Sequence, residues 1–191
     1  MRATEELKQE HRVIEKVLRS LFAASTRLQR GEEINPQFFR EAIDFIRNFA
    51  DKCHHGKEED NLFLAIERQG FPRDGGPTGT MRAEHDEGRA HVRELASALD
   101  SYERGDRSRE VTARIAAHAM GYVRLLAQHI EKEDNILYVI ADDVIPPAEQ
   151  AQLLQAFADV EQRSVGETGH SEYVKLADRL EEAMQAQGAR L

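Results

Sequence analysis

Four long stretches of the chain place apolar residues at intervals of three and four, and Gly or Pro separates each stretch from the next. That rhythm belongs to helices with one buried face, and no strand alternation competes with it. Leu7, His11, Ile14, Leu18, Leu21 and Leu28 trace the first helix, with a skipped turn near Ser25, and Gly31 stops it. Asn35-Pro36 opens the second, pairing a side-chain cap with the residue whose fixed φ suits a first helical turn. It runs to about residue 69, before Gly70 and Pro72. Residues 73–80, RDGGPTGT, read as a loop, and a third helix spans about 81–103. Val111, Ile115, His118, Tyr122, Leu125, His129, Ile136 and Ile140 line a fourth, over about 108–142, which Pro146-Pro147 ends. The expected class is all-α: an up-down four-helix bundle over residues 1–145. Residues 146–191 add two weaker helical patterns, at 153–160 and 172–184, with the SVGETG turn between them. This C-terminal extension is expected to pack across the bundle and cover its apolar outer face.

Charge narrows the partners. The 191 residues carry a formal net charge of -9, which argues against nucleic acid and against an anionic membrane surface. No apolar run is long enough to span a bilayer, and the opening MRATEELKQE lacks the apolar core of a secretory signal. With a single cysteine, no internal disulfide is available, and a cytoplasmic location is expected. Eight histidines in so acidic a chain stand out, because neutral imidazoles together with carboxylates are what borderline divalent metals require.

Those histidines repeat. Glu10-His11 opens the first helix and Glu84-His85 lies early in the third; His55 precedes GKEEDN and His129 precedes IEKEDN. The spacings agree, 55 − 11 = 44 and 129 − 85 = 44, and this register sets Glu59 on Glu133. Residues four apart share a helix face, about 5–6 Å apart at Cβ, so His55 with Glu59 and His129 with Glu133 can enter one space. His11 and His85 join them from the neighbouring helices. Four imidazoles and two carboxylates then converge, and two metal ions sharing the carboxylates fill the interior naturally, since buried carboxylates are otherwise heavily penalised. A single His-x3-Glu is usually an exposed ion pair; the duplication, not either copy, carries the argument.

The pattern resembles the hemerythrin-like, or HHE cation-binding, domains, over residues 1 to about 143. The matching motifs are His11, HHGKEE (54–59), EH (84–85) and HIEKE (129–133). The resemblance implies a carboxylate-bridged pair of non-haem irons with an oxo or hydroxo bridge, held by His11, His55, Glu59, His85, His129 and Glu133. It also implies a small diatomic or peroxide as ligand. The competing ferritin-like reading needs Glu-x-x-His from two helices, and only Glu167 to His170 fits. Two departures matter. Oxygen carriers of the family have two histidines four apart on the third helix, where Arg89 stands here, and the cysteine-bearing N-terminal extension of some iron–sulfur repair relatives is not seen. Six protein ligands and a bridging oxygen fill about ten of about twelve positions, leaving each iron one opening. That favours a redox-active protein that binds or reacts with oxygen, peroxide or nitric oxide, with oxidoreductase or peroxidase-type activity left open; iron or oxygen sensing or storage without turnover is the alternative.

Other residues are weighed beside these. His54 lies about 100° around a regular helix from His55, so only one should face the metals; His55 is preferred and His54 with Glu58 is the alternative. His118 and Tyr122 share the stripe of His129 but lie about 16 Å and 10 Å along the axis, too far to ligate the same ions. Tyr122 reads as a core tyrosine with a bonded hydroxyl, His91 as solvent-exposed, Glu15 as an exposed charge and Cys53 as a buried thiol. Gly88, inside a helix, signals close approach of a neighbour.

Overall fold

The computed structural model describes residues 2–166 and 169–188, and within them the chain is all helix, without strands. Helix α1 is Ala3–Gln29; the backbone N–H of Arg2 donates to the Glu5 carboxylate at its start, and Gly31 ends it at a φ of 83° that favours glycine. Helix α2 is one continuous rod over residues 36–68, capped by Asn35, whose side chain accepts from the Gln37 N–H. Helix α3, Pro77–Glu103, starts earlier than the sequence predicts. Pro77 occupies a first-turn position, and buried Thr78 donates to Glu67, so half of the expected loop is drawn into the helix. Helix α4 covers residues 109–144 under a Ser108 cap.

Two stretches of α2, Ile46–His55 and Glu58–Leu62, and one of α4, Glu133–Leu137, are widened to i→i+5 hydrogen bonding. Such wide turns recur at functional sites. Between apolar layers at the two ends of the bundle lies a polar one. Leu7, Leu62, Phe63, Met81 and Leu137 pack on one side of it, and Ile14, Phe49, Val92 and Leu126 on the other. The layer itself holds His11, His54, His55, Glu58, His85, His129 and Glu133, all buried.

Helices α5, Pro147–Ser164, and α6, Gly169–Gly188, pack on this bundle. Leu153 and Phe157 of α5 close the layer around Leu62 and Phe63, while Leu176, Leu180 and Met184 of α6 join the opposite core. Lys16–Asp178 (2.6 Å) and Arg19–Glu181 (2.8 Å) tie α6 to α1. The SVGETG turn includes Glu167 and Thr168, and the outer limits of the two expected segments reach residues 1 and 189–191; these lie outside the described residues. Among the described residues no helix is long and apolar enough to cross a membrane.

Candidate metal centre

Each long helix delivers its histidine to the polar layer, and the rings point Nε2 inward. His85 Nε2 lies 3.0 Å from His129 Nε2, a separation that bonds of about 2.1 Å at right angles to one ion would give. Glu133 lies between His11 Nε2 (3.3 Å) and His129 Nε2 (3.2 Å). Glu58 lies between His54 Nε2 (3.7 Å) and His85 Nε2 (3.5 Å). Two overlapping groups result: His55, Glu58, His85 and His129, and His11, His54, Glu58 and Glu133, with ligand atoms within 4.8 Å of one another in each.

The structure therefore gathers His11, His55, His85, His129 and Glu133 of the expected set, adds His54, and puts Glu58 where Glu59 was expected. Glu59 instead turns outward, where it meets His85 Nδ1 at 2.6 Å and Arg89 at 2.8 Å. The physical reason is the wide turn ending at His55. An i→i+5 turn holds an extra residue, so successive residues rotate by less than 100° and both neighbouring histidines can turn inward. The halves then match with an offset of 85 − 11 = 74 on α1 and α3, but 129 − 54 = 75 and 133 − 58 = 75 on α2 and α4. The lysines of HHGKEE and HIEKED carry that signal, since Lys57 falls on Lys132 at the same 75. The shared Glu-Asp-Asn tripeptide suggests the other register.

Behind every inward ring stands a carboxylate on Nδ1: Asp134 on His11 (2.8 Å), Glu10 on His54 (2.8 Å), Glu59 on His85 and Glu84 on His129 (2.9 Å), with Asp51 more distant on His55 (3.4 Å). Such partners fix the ring orientation and raise its basicity toward a metal. The repeated Glu-His pairs of the sequence are this device: Glu10 and Glu84 each serve a histidine of the next helix. Lysines hold both glutamates, Lys57 on Glu10 (2.5 Å) and Lys132 on Glu84. The two sides differ in cover. Lys57 is fully buried and also meets Glu6 (2.8 Å) and Glu161 of α5 (2.9 Å), whereas Lys132 is 38% exposed.

Electrostatics divide the ligand set: despite burial, Asp134 and Glu133 raise His11, and Glu133 and Glu84 raise His129, while the other three rings are lowered. Burial pushes His54 down to about 4 and lowers His55 and His85 as well, so these rings are neutral near pH 7 and can leave Nε2 bare while Nδ1–H donates to its carboxylate. Burial, reinforced by Glu133, pushes the Glu58 carboxyl well up. Burial acts on Glu133 in the same sense, but His129 and His11 outweigh it and hold Glu133 low. Glu58 Oε2, both oxygens of Glu133 and His55 Nε2 are buried without a hydrogen-bond partner. Orphaned carboxylate oxygens in an interior are costly, and metal ions are what would satisfy them; the residues fit the group. Tyr138, which the sequence did not single out, donates its hydroxyl to Glu58 Oε1 (2.6 Å) and lies 3.3 Å from His11 Nε2.

The other weighed residues fall elsewhere. His118 and Tyr122 are not in either group, but the buried Tyr122 hydroxyl lacks the expected partner. His91 is half-buried, with its Nδ1 3.3 Å from that of His118, rather than solvent-exposed. Glu15 pairs with Arg12, and the buried Cys53 thiol is pushed up to about 12 by burial. A Cβ at Gly88 would sit 3.4 Å from both Tyr122 and Leu126, the close approach expected there.

The family model described as Hemerythrin HHE cation binding domain matches residues 2–141. Among curated proteins, an uncharacterized protein of Mycobacterium bovis, Mb2018, and one of Mycobacterium tuberculosis, Rv1995, are each 28% identical over 177 residues. The match covers 92% of this chain and 68% of each of theirs. No solved structure matches the chain.

Proposed function

From the premise that this chain belongs to the hemerythrin HHE cation-binding family, we propose that seven side chains hold two non-haem irons that bind or react with oxygen, peroxide or nitric oxide. The seven are His11, His54, His55, Glu58, His85, His129 and Glu133. The observation that carries this is the pair of buried glutamates, each lying between two imidazoles, with oxygens that nothing in the protein satisfies. Imidazole with carboxylate suits iron, and two irons would supply reversible electron transfer toward a small oxidant or diatomic. His54 changes the coordination count. Five imidazoles, two shared carboxylates and one shared oxygen fill about eleven of about twelve positions, leaving one opening instead of two. Three imidazoles gather on one side and two on the other, so the opening belongs with His11 and His54.

Tyr138 stands on that side. Burial raises its hydroxyl well above the usual phenol range, so it keeps its proton, orients Glu58 and can donate beside His11. The Nδ1 carboxylates keep each ring in place, and the flanking apolar layers exclude bulk water. Turnover of peroxide or oxygen would make the protein an oxidoreductase, and a reducing cytoplasm suits its single buried thiol.

Anaerobic loading with ferrous iron, followed by stopped-flow mixing with oxygen, peroxide or nitric oxide, tests the proposal. Catalytic consumption marks an enzyme, and a reversible spectral change marks a carrier or sensor. Iron that binds without responding to any of the three, or purified protein filled with zinc or manganese, refutes the redox reading.

A further inference from the structure

Two histidines that the buried layer does not use meet near the outside of the bundle. His91 of α3 and His118 of α4 face each other with Nδ1 3.3 Å from Nδ1 and their ring planes 56° apart. Each is half-buried, so one side of the pair stays open to water. A hydrogen bond across that gap needs one ring to hold its proton on Nδ1 and the other to accept it, and 3.3 Å is long for one. Two bonds of about 2.1 Å that meet on one ion at the tetrahedral angle span about 3.4 Å, and at a right angle about 3.0 Å. The observed spacing is close to the tetrahedral bite.

The placement is built into the sequence. The His91 ring lies against the backbone of α4 at Gly121, where a Cβ would come within 2.8 Å of both ring nitrogens. Glycine inside a helix costs about 1 kcal/mol relative to alanine, and this one makes the room that the ring occupies. Burial, and then His118, lower the His91 pKa, so that ring is neutral near pH 7 and a nitrogen is available to a metal. Glu87 stands one turn before His91 on the same face of α3, exposed and near enough to act on that ring electrostatically. A carboxylate there is placed to join two imidazoles. One turn further from the buried layer, Arg114 and Glu94 pair with each other at 3.4 Å.

We propose that His91 and His118, with Glu87, form a second metal site on the surface of the bundle, for a single tetrahedral divalent ion of the zinc type. Nδ1 of each histidine and the Glu87 carboxylate supply three ligands, and water the fourth. Imidazole with one carboxylate suits zinc, and ferrous iron stands below zinc in affinity for such ligands. The site is separate from the buried centre: His91 is six residues beyond His85 and His118 eleven before His129, about 9 Å and about 16 Å along their helices. Its occupancy therefore does not depend on what the centre holds. An ion there ties α3 to α4, the helices that deliver His85 and His129.

Zinc is the probe. In crystals of the full chain soaked in zinc, anomalous density at the zinc edge should fall between His91 and His118, about 2.1 Å from both Nδ1 atoms, whatever occupies the buried layer. In solution, calorimetric titration of iron-loaded protein should register one zinc per chain. His91→Ala and His118→Ala should each bind one zinc fewer than the wild type, and Gly121→Ala should weaken binding by displacing the ring. All three positions are half-buried, and these variants should keep the metal content of the buried layer, which separates loss of this site from loss of the fold. Glu87→Gln should retain the ion at lower affinity. A soaked crystal without density between the two rings overturns the proposal. So does zinc binding that is equal in the wild type and both histidine variants, which would mark an ion held elsewhere.

Discussion

Replacing Lys57 with methionine should separate the two halves of the centre, although the replaced interaction looks the same in both. The Lys57 ammonium is fully buried between Glu6, Glu10 and Glu161. Glu6 and Glu161 are 24% and 31% exposed and can turn to water when the lysine is gone. Glu10 is 2% exposed and cannot; it would keep His54 at 2.8 Å and a more distant His170 at 3.9 Å. Breaking a buried pair by removing one partner costs about 3–5 kcal/mol, because an uncompensated charge remains. Against a typical domain stability of about 5–15 kcal/mol this is a large fraction. Lys132 makes the matching contact to Glu84, but at 38% and 18% exposure the two groups can hydrate, and Lys132→Met should cost no more than about 1 kcal/mol. Urea unfolding of the metal-free variants measures this difference. Metal affinity should fall in both, by about 10- to 100-fold, since each lysine steadies a glutamate that orients a histidine. Equal losses of stability in Lys57→Met and Lys132→Met would refute the reasoning, as would unchanged metal affinity in both.

Glu58→Gln should abolish binding of at least one of two metal ions, while Glu59→Gln should keep both ions at about 10- to 100-fold lower affinity, as metal analysis after dialysis would show. In metal-free protein, His54 titrates near 4 against 6.5 for the unfolded chain, so the unfolded chain binds more protons between those values. Its contribution to stability, about 3 kcal/mol in all, is complete above about pH 6.5 and is lost as pH falls toward 4. His54→Gln should flatten that part of the stability-against-pH curve. A Cβ at Gly121 would lie 2.3 Å from Cε1 of the half-buried His91, so Gly121→Ala should turn that ring away from His118 and, with a helix-propensity gain of about 1 kcal/mol, change stability by no more than about 1 kcal/mol in urea unfolding.

The helices were legible because their apolar positions follow the 3.6-residue period, as the run from Leu7 to Leu28 shows. So was a buried layer of histidines and carboxylates that could hold metal, since a duplicated Glu-His with His-x3-Glu has no structural reason to recur. What the sequence hid was register. The rule that neighbours stand about 100° apart assumes a regular helix, and over Ile46–His55 the helix is not regular. His54 and His55 therefore need not compete, and Glu58 rather than Glu59 turns inward. Lys57 and Lys132 were the available signal, but their role depends on Glu10 and Glu84 from other helices, which local spacing does not reveal. The Gly-rich loop before α3 was read too long because Pro77, a loop residue by composition, is also a favoured first residue of a helix.

Anomalous diffraction at the iron edge from crystals of iron-loaded protein reaches the central claim most directly. Two peaks per chain are expected, one among His55, His85 and His129 and one beside His11 and His54, with Glu58 and Glu133 reaching both. A single peak, peaks outside this layer, or Glu59 in the place of Glu58 would contradict the account.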